Sequence, residues 1–271
     1  MPRPDDKTYE KLQWLLKRLS AAEDYCRPYF ERAKRHYRLY RFGSAVDEAD
    51  WPYVNRTRTR DILAFVEDST ALMVQTLFAS EPFFNVDPRR TTQFEAMTGL
   101  NPMVIAKQME ICLENQIADE ATEFFEEIID MFKGGCIHGN GYAGVYPRFG
   151  FDGKYIGPLI KTNDFWDVLP ITGARRISKA RGLFIREFMS LEEAKDLAKK
   201  AGREDIIPQL GTIPGDDVTW HKALLAEVGI TDYEVDPEEI EIIHYFSGGH
   251  IITMANRAVI VRDSNEPVQN S

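Results

Sequence analysis

The histidines are the first residues of this 271-residue chain to consider for chemistry. They are His36, His138, His221, His244 and His250. Only the last two are close together, at the ends of a predicted β-hairpin, so we expect their side chains to approach each other. A zinc site needs at least three protein ligands, and the sequence offers no third ligand beside this pair. We therefore predict no metal site.

The cysteines and the search for short catalytic motifs likewise give no sign of a catalytic or metal site. Cys26, Cys112 and Cys136 are an odd number without paired spacing, which predicts reduced thiols packed as small hydrophobic side chains. Cys136 and His138 would alternate faces on a predicted strand and suit joint ligation poorly. The sequence contains no Gly-x-Ser-x-Gly, His-Glu-x-x-His or Cys-x-x-Cys motif. We therefore predict a protein that is not an enzyme.

Two further stretches imitate nucleotide-binding motifs. Residues 47–50 read Asp-Glu-Ala-Asp, but the chain has no Gly-x-x-x-x-Gly-Lys-Ser/Thr phosphate loop to accompany them. Residues 139–144 read GNGYAG, but they follow a helix and lead into a strand, the reverse of the order that dinucleotide binding needs. We predict that these glycines form a tight helix-to-strand corner, and that the chain has no cofactor.

The strongest binding signal is basic and aromatic. Residues 27–41 hold six arginine or lysine residues against the single Glu31, interleaved with Tyr29, Phe30, Tyr37 and Tyr40. Basic residues mixed with aromatic ones are typical of nucleic-acid binding. The equally supported alternative is that the aromatic rings are buried and the arginines cover an acidic neighbour. Residues 51–60 add an arm with further arginines.

Composition and charge narrow the class of protein. With 44% hydrophobic and 28% charged residues, the chain can form one large or two small domains with proper cores. A net charge of −10 argues against a protein that coats nucleic acid or binds an anionic membrane surface. The chain shows neither a bilayer-length apolar run nor a signal peptide, so we expect no membrane partner and cytosol-like conditions.

The first half of the chain is predicted to be helical. An amphipathic helix over residues 9–26 should restart at Pro28, which lacks the amide hydrogen that a helix interior needs. The next helix carries an apolar face at three- and four-residue steps. That face consists of Ile62, Phe65, Val66, Ser69, Leu72, Met73 and Thr76.

A long helix should follow, beginning at Asn101 and Pro102 and ending at Gly134 and Gly135, about 45 Å in length. Its polar side carries an uninterrupted set of acids, which are either a solvated face or an acidic wall for basic partners. These acids are Glu110, Glu114, Asp119, Glu120, Glu123, Glu126, Glu127 and Asp130.

The second half reads as antiparallel strands. Asp152-Gly153 predicts a hairpin turn, and a capping box of Ser190 and Glu193 predicts a helix that ends at Gly202. Residues 216–229 predict a short helix, and a final meander turns at 247–249 and 256–257. We predict an α+β fold, in which N-terminal amphipathic helices with one long helix precede an antiparallel sheet.

Several phrases in this order carry a resemblance to a known family. They are RLYRFG (38–43), residues 51–88 beginning WPYVNRTRTR, GGCIHGNGYAGVYPRF (134–149), residues 163–195 beginning NDFWDVLP, and EIEIIHYFSGGHIITMANRAVIVRD (239–263). Together they resemble the N-terminal part of the portal, or head-to-tail connector, proteins of tailed bacteriophages. The resemblance implies a helical arm over residues 1–58 and a wing-like domain over 59–271. The family's stem, clip and crown regions are expected to be absent.

The resemblance also implies a function and partners. Portal subunits form a ring, usually of twelve copies, at one capsid vertex of the virion, after assembly in the host cytoplasm. Double-stranded DNA passes through the ring without specific binding during packaging and ejection. The implied protein partners are other copies of the chain, the major capsid or scaffolding protein, the terminase large subunit and tail adaptor proteins. Two alternatives stay open, a non-viral nucleic-acid-binding module and a metal-dependent hydrolase using His244 and His250.

The segregation of charge along the chain leads to a prediction about six arginines. We expect them to contact the acidic surface of a neighbouring subunit or, as a second option, packaged DNA. They are Arg35, Arg38, Arg41, Arg56, Arg58 and Arg60.

Reversing the charge of Arg56 and Arg58 to glutamate should therefore weaken assembly or DNA retention, because like charges would then face each other. Sedimentation and a nuclease-protection assay on assembled particles measure the two effects. If both stay at the wild-type level, the predicted role of these arginines is wrong.

Overall fold

The computed structural model describes residues 6–42, 60–79, 85–87, 99, 101–118, 122–149, 154–171, 180–210 and 239–264. They fall into two compact units. The helix–sheet unit comprises the described residues within 1–58 and 166–271, and the helix–hairpin unit comprises those within 59–165. The fold is α+β, as predicted, and the described residues form six α-helices and two antiparallel sheets.

The first helix of the helix–sheet unit, α1, spans Asp6–Phe42, which is 37 residues or about 55 Å. Its buried side recurs at three- and four-residue steps, as an amphipathic helix requires. That side consists of Leu12, Leu15, Leu19, Ala22, Cys26, Phe30 and Ala33. Among the described helices the long one is therefore α1, where the sequence predicted residues 102–135.

The predicted restart at Pro28 is wrong, because α1 continues through it. A proline inside a helix removes one hydrogen bond and costs about 3 kcal/mol. Pro28 and Asp24, whose carbonyl would have accepted that bond, both lie on the exposed side, where water can solvate the carbonyl. Buried residues on both sides of the proline hold the two halves of α1 against the same sheet.

The sheet of this unit has five antiparallel strands in chain order. They are β3 (Val168–Pro170), β4 (Leu183–Met189), β5 (Ile240–Ser247), β6 (His250–Ala255) and β7 (Val259–Ser264). The antiparallel strands predicted for the second half and the final meander with its turns are confirmed, while the turn predicted at Asp152-Gly153 lies outside the described residues. The turn between β5 and β6 is Gly248-Gly249, and the turn after β6 holds Asn256 and Arg257 at φ angles of 46° and 53°.

Helices cover both faces of this sheet. α1 packs on one face, where Arg18 donates a 2.7 Å hydrogen bond to the Tyr245 hydroxyl and lies 4.0 Å from the centre of the Trp14 ring. The other face packs against α5 (Leu191–Lys200) and the short α6 (Ile207–Leu210). Its apolar core consists of Ala194, Ala198, Ile206, Leu210, Ile240, Ile242, Ala255, Val259 and Val261.

The predicted capping box at the start of α5 is confirmed. The Glu193 amide donates to Ser190 Oγ at 3.3 Å, and the Ser190 amide donates to Glu193 Oε2 at 2.9 Å. The helix ends at Lys200, just before Gly202 at φ 69°, as expected. The helix predicted over residues 216–229 lies outside the described residues.

The helix–hairpin unit contains α2 (Asp61–Leu77), α3 (Pro102–Ile117), α4 (Phe124–His138) and the antiparallel strands β1 (Tyr142–Phe149) and β2 (Tyr155–Asn163). The single long helix predicted from Asn101 to Gly135 is wrong. It is two helices, and Glu123, which precedes α4, adopts a left-handed conformation with φ 47°. The predicted cap at Asn101 is confirmed, since its side chain accepts from the Met103 amide at 3.0 Å.

The end of α4 is also later than predicted. Gly134 and Gly135 stay helical, and the helix closes at Gly139, where φ is 84°. The corner into β1 that the glycines predicted is confirmed. At Gly141 a side chain would collide with the Met131 carbonyl, so glycine is required there by close approach of the backbone.

Contacts within this unit use several of the acids that the sequence assigned to one wall. Glu110 is buried and accepts from Lys107 Nζ at 2.6 Å. The Glu127 carboxylate accepts from the Thr162 amide, and its backbone carbonyl accepts from Thr162 Oγ1 at 2.6 Å. Glu123, Glu126 and Asp130 are exposed, and Asp119 and Glu120 lie outside the described residues.

A buried ionic cluster joins α1 to the sheet. Arg186 on β4 and Glu241 on β5 are each 1% exposed, and Arg186 Nε lies 3.2 Å from Glu241 Oε1. Glu23 of α1 lies 3.2 Å from Arg186 and 2.8 Å from the Arg257 guanidinium. Burial lowers the pKa of Arg257, but the hydrogen bonds and charges of Glu241 and Glu23 outweigh it and raise the pKa above its usual value.

Replacing Arg186 with methionine should lower the free energy of unfolding by about 3–5 kcal/mol, because it leaves the buried Glu241 carboxylate short of a partner. Urea denaturation followed by circular dichroism measures the change. The matched control is Arg181→Met on the exposed residue before β4, which should shift stability by less than about 0.5 kcal/mol. Equal effects of the two substitutions would contradict the role given to the cluster.

Candidate functional site

The structure brings three of the six predicted arginines together at the end of α1. Arg35 and Arg41 are exposed and Arg38 is half-buried, at three-residue steps along the last turns. Arg60 is exposed and precedes α2 in the other unit, where its carbonyl accepts from the Ala64 amide at 3.0 Å. Arg56 and Arg58 lie outside the described residues.

An exposed stripe of aromatic and basic side chains runs along the middle of α1. We call Tyr25, Tyr29, Arg32 and Arg35 the basic-aromatic stripe. Tyr25 and Tyr29 are 38% and 46% exposed, and their ring centres are 5.7 Å apart. The two arginines are exposed as well. The sequence analysis included Tyr29, Arg32 and Arg35 in the basic and aromatic segment but missed Tyr25, which the helical spacing of four residues before Tyr29 would have suggested.

The two interpretations of residues 27–41, nucleic-acid binding and burial of the aromatic rings, each hold for only part of the segment. Phe30 is buried and its ring centre lies 5.8 Å from that of Trp166, as the burial reading expected. Tyr29 is exposed instead, as the binding reading expected. Tyr37 and Tyr40 are half-buried and contact each other, with ring centres 6.1 Å apart. The helix therefore divides its aromatic residues between the core and the surface.

The helix–hairpin unit carries a second exposed stripe, on α2. We call Asp61, Phe65, Asp68 and Leu72 the acidic-apolar stripe. Steps of four, three and four residues place all of them on one side of the helix. Phe65 is 70% exposed, Leu72 is 64% exposed, and both aspartates are exposed. The 17 residues of α2 contain no lysine or arginine.

The apolar face predicted for α2 is only partly buried within the described residues. Of the predicted face, only Val66 is fully buried, with Thr70 beside it on the same side. That side packs toward α4, where Lys133 pairs with Glu67 at 2.7 Å. Periodicity identifies an apolar face, but it does not say how much of that face the same chain covers.

His244 does not face the second histidine of its hairpin. Its Nδ1 lies 3.0 Å from Thr253 Oγ1 across the β5–β6 pair. The next residue, Tyr245, points toward α1, where its ring packs edge-on against Trp14. Because successive side chains of a strand point to opposite faces, His244 lies on the face away from α1.

His250 lies on the α1 face instead. Its Nε2 is 2.7 Å from Asp263 Oδ1, and the same carboxylate also pairs with Lys11 of α1. Burial raises the pKa of Asp263, but the hydrogen bonds and charges of Lys11 and His250 outweigh it and lower the pKa overall. The expected approach of His244 and His250 is therefore wrong, since the sheet separates them.

The cysteines differ in exposure, contrary to the prediction that all three are packed. Cys26 is buried in the α1 core, and burial raises its pKa to about 11. Cys112 on α3 is exposed and Cys136 is half-buried. Cys136 and His138 lie in α4, so the strand predicted for them is wrong.

Within the described residues no group of three or more histidine, cysteine, aspartate or glutamate side chains could hold a metal ion. Among the same residues no helix is long and apolar enough to cross a membrane. A scan against models of known protein families finds no match to this chain, and a search of curated proteins finds none either. The two exposed stripes are accordingly the candidate site.

At pH 8 a thiol reagent should label Cys112 quickly and leave Cys26 unmodified, because only about one Cys26 side chain in 1,000 is ionised three pH units below its pKa and the sulfur is buried. Mass spectrometry of digested protein reads out each site. Cys112→Ser should remove the fast reaction, and Cys26→Ser should leave it unchanged. Rapid labelling of Cys26 in folded protein would show that α1 is not packed as described.

Proposed function

We propose that this chain is a structural subunit of a bacteriophage portal ring. The ring would sit at a capsid vertex, pass double-stranded DNA during packaging and ejection, and attach the tail. The order of sequence phrases that resembles portal proteins supports this proposal. The observation that carries it is the large apolar surface that the helix–hairpin unit leaves exposed.

Fourteen large apolar side chains are exposed in the described part of this unit. The exposed large apolar side chains of the unit come from all three of its helices and from both strands of its hairpin. They are Ile62, Phe65, Leu72, Met73, Leu77, Met103, Val104, Met109, Ile111, Phe125, Ile129, Val145, Tyr155 and Ile156. Exposed apolar surface on this scale marks a site of protein interaction, and a ring subunit buries it against its neighbours.

The charge of the chain suits a passage for DNA. A net charge of −10 repels phosphates and keeps a moving duplex from adhering to the protein. Such a role needs self-complementary surfaces and no nucleophile. Under this proposal the partners are other copies of the chain, a capsid or scaffolding protein, the terminase large subunit and tail adaptors, and the location is the virion.

One observation favours a second candidate, a nucleic-acid-binding module. The exposed rings of Tyr25 and Tyr29 beside Arg32 and Arg35 offer stacking surfaces and phosphate contacts on one side of α1. The opposing argument is that the same chain is strongly acidic overall. The nucleic-acid-binding candidate predicts that the isolated chain binds DNA with an affinity that falls as salt rises, and the portal candidate does not predict such binding.

The test of the proposed function is the mass of the purified chain in solution, measured by light scattering, together with negative-stain images. We expect a closed ring of many copies. A chain that stays monomeric up to its solubility limit would overturn the proposal. Fluorescence anisotropy with a labelled DNA duplex completes the test, because tight binding that weakens steeply with salt would instead favour the second candidate.

A further inference from the structure

We infer that adjacent copies contact each other through the two stripes, with the basic-aromatic stripe of α1 in one copy packed against the acidic-apolar stripe of α2 in the next. This inference rests on the proposed assembly of copies and goes further, since it names the surfaces that meet. The two stripes lie in different units of the chain, and the side chains of both are exposed.

Spacing makes the two stripes suitable for packing side by side. Asp61, Phe65, Asp68 and Leu72 follow at steps of four, three and four residues. Helices that pack lengthwise present ridges of residues three and four apart, so such a row can interdigitate with a similar row on another helix. Tyr25, Tyr29 and Arg32 begin with the same four- and three-residue steps, and Arg35 extends them along α1.

The chemistry of the stripes is complementary. Asp61 and Asp68 supply negative charge where Arg32 and Arg35 supply positive charge. Phe65 and Leu72 supply apolar surface that aromatic rings can cover. Tyrosine and arginine are enriched at the energetic centres of protein interfaces, because each combines a large contact area with a polar end.

Charge also disfavours the pairing of identical stripes. Two acidic-apolar stripes would place four aspartates in one interface, and α2 contains no lysine or arginine to neutralise them. Two basic-aromatic stripes would likewise place four arginines in one interface with no carboxylate in either stripe. Like charges across an interface oppose association, so the unlike stripes are the favoured pair.

A contact between two different surfaces has a consequence for the assembly. Each copy offers one stripe of each kind, so every copy can bind two neighbours in the same head-to-tail sense. Such heterologous contacts close into a ring when the rotation between copies allows it. Pairing of unlike stripes therefore supplies the type of contact that the proposed portal ring requires.

Charge reversal tests this contact directly. The double substitutions Arg32→Glu/Arg35→Glu and Asp61→Arg/Asp68→Arg should each weaken association at least about 100-fold, because each places like charges across the interface. Mixing the two variants in equal amounts should restore assembly, since the acidic α1 of one then meets the basic α2 of the other. Light scattering and negative-stain images record the result, and circular dichroism confirms that each variant is folded.

Matched controls change the same net charge on exposed residues outside both stripes. Lys17→Glu/Lys200→Glu is the control for the arginine variant, and Glu10→Arg/Glu204→Arg is the control for the aspartate variant. Both controls should assemble like the wild type. The double substitution Phe65→Ser/Leu72→Ser should weaken assembly without changing the net charge. Mixing this variant with either charge-reversal variant should not restore assembly.

The outcomes separate this inference from the proposed function. If the wild type forms rings and both reversal variants still form them, the stripe contact is wrong while the portal proposal stands. If the wild type is monomeric at every concentration, the portal proposal fails and the stripe contact fails with it. Loss of assembly in each variant alone with recovery in the mixture supports the contact.

Discussion

The position of α1 on its sheet depends on a cluster of four charged side chains, two of which are almost completely buried. These two are Arg186 and Glu241, and Glu23 reaches the cluster from α1. Buried charges need partners, so sliding or rotating α1 would withdraw Glu23 and leave Arg186 and Arg257 to share the Glu241 carboxylate alone. The apolar contacts along α1 are less directional, and the ionic cluster therefore fixes which side of the helix remains exposed.

That constraint has its main consequence on the opposite side of α1. With Cys26, Phe30 and Ala33 directed to the core, Tyr25, Tyr29 and Arg32 necessarily point outward. The Asn256-Arg257 turn contributes to the same arrangement, because the Glu241 amide donates to Asn256 Oδ1 and the Arg257 guanidinium pairs with the Glu241 carboxylate. An exposed surface feature is thus set by polar contacts made in the interior.

The helix–hairpin unit is built on a different balance. An ion pair joins α2 to α4 and a hydrogen bond joins α4 to the hairpin, yet many large apolar side chains of the unit remain exposed. Such a surface is unfavourable in water and becomes favourable when a partner covers it. The proposed ring gives both units a role, since one supplies a basic surface and the other an acidic and apolar one.

The sequence alone determined the α+β class, through the order of helical and strand patterns along the chain. It also determined several short-range features: the strands of the meander, the Asn256-Arg257 turn, the Asn101 cap and the Ser190–Glu193 capping box. Each of these features depends on residues within a few positions of one another. Only the tertiary structure decided that α1 passes through Pro28 and that the helix expected from Asn101 to Gly135 is broken. The separation of His244 and His250 depends on the register of their hairpin, in which Ser247 pairs with His250, because successive side chains of a strand point to opposite faces. The passage through Pro28 depends on burial by residues distant in the chain, which can outweigh the local cost of a proline. For the same reason, the sequence identified an apolar face on α2 but not that most of it stays exposed.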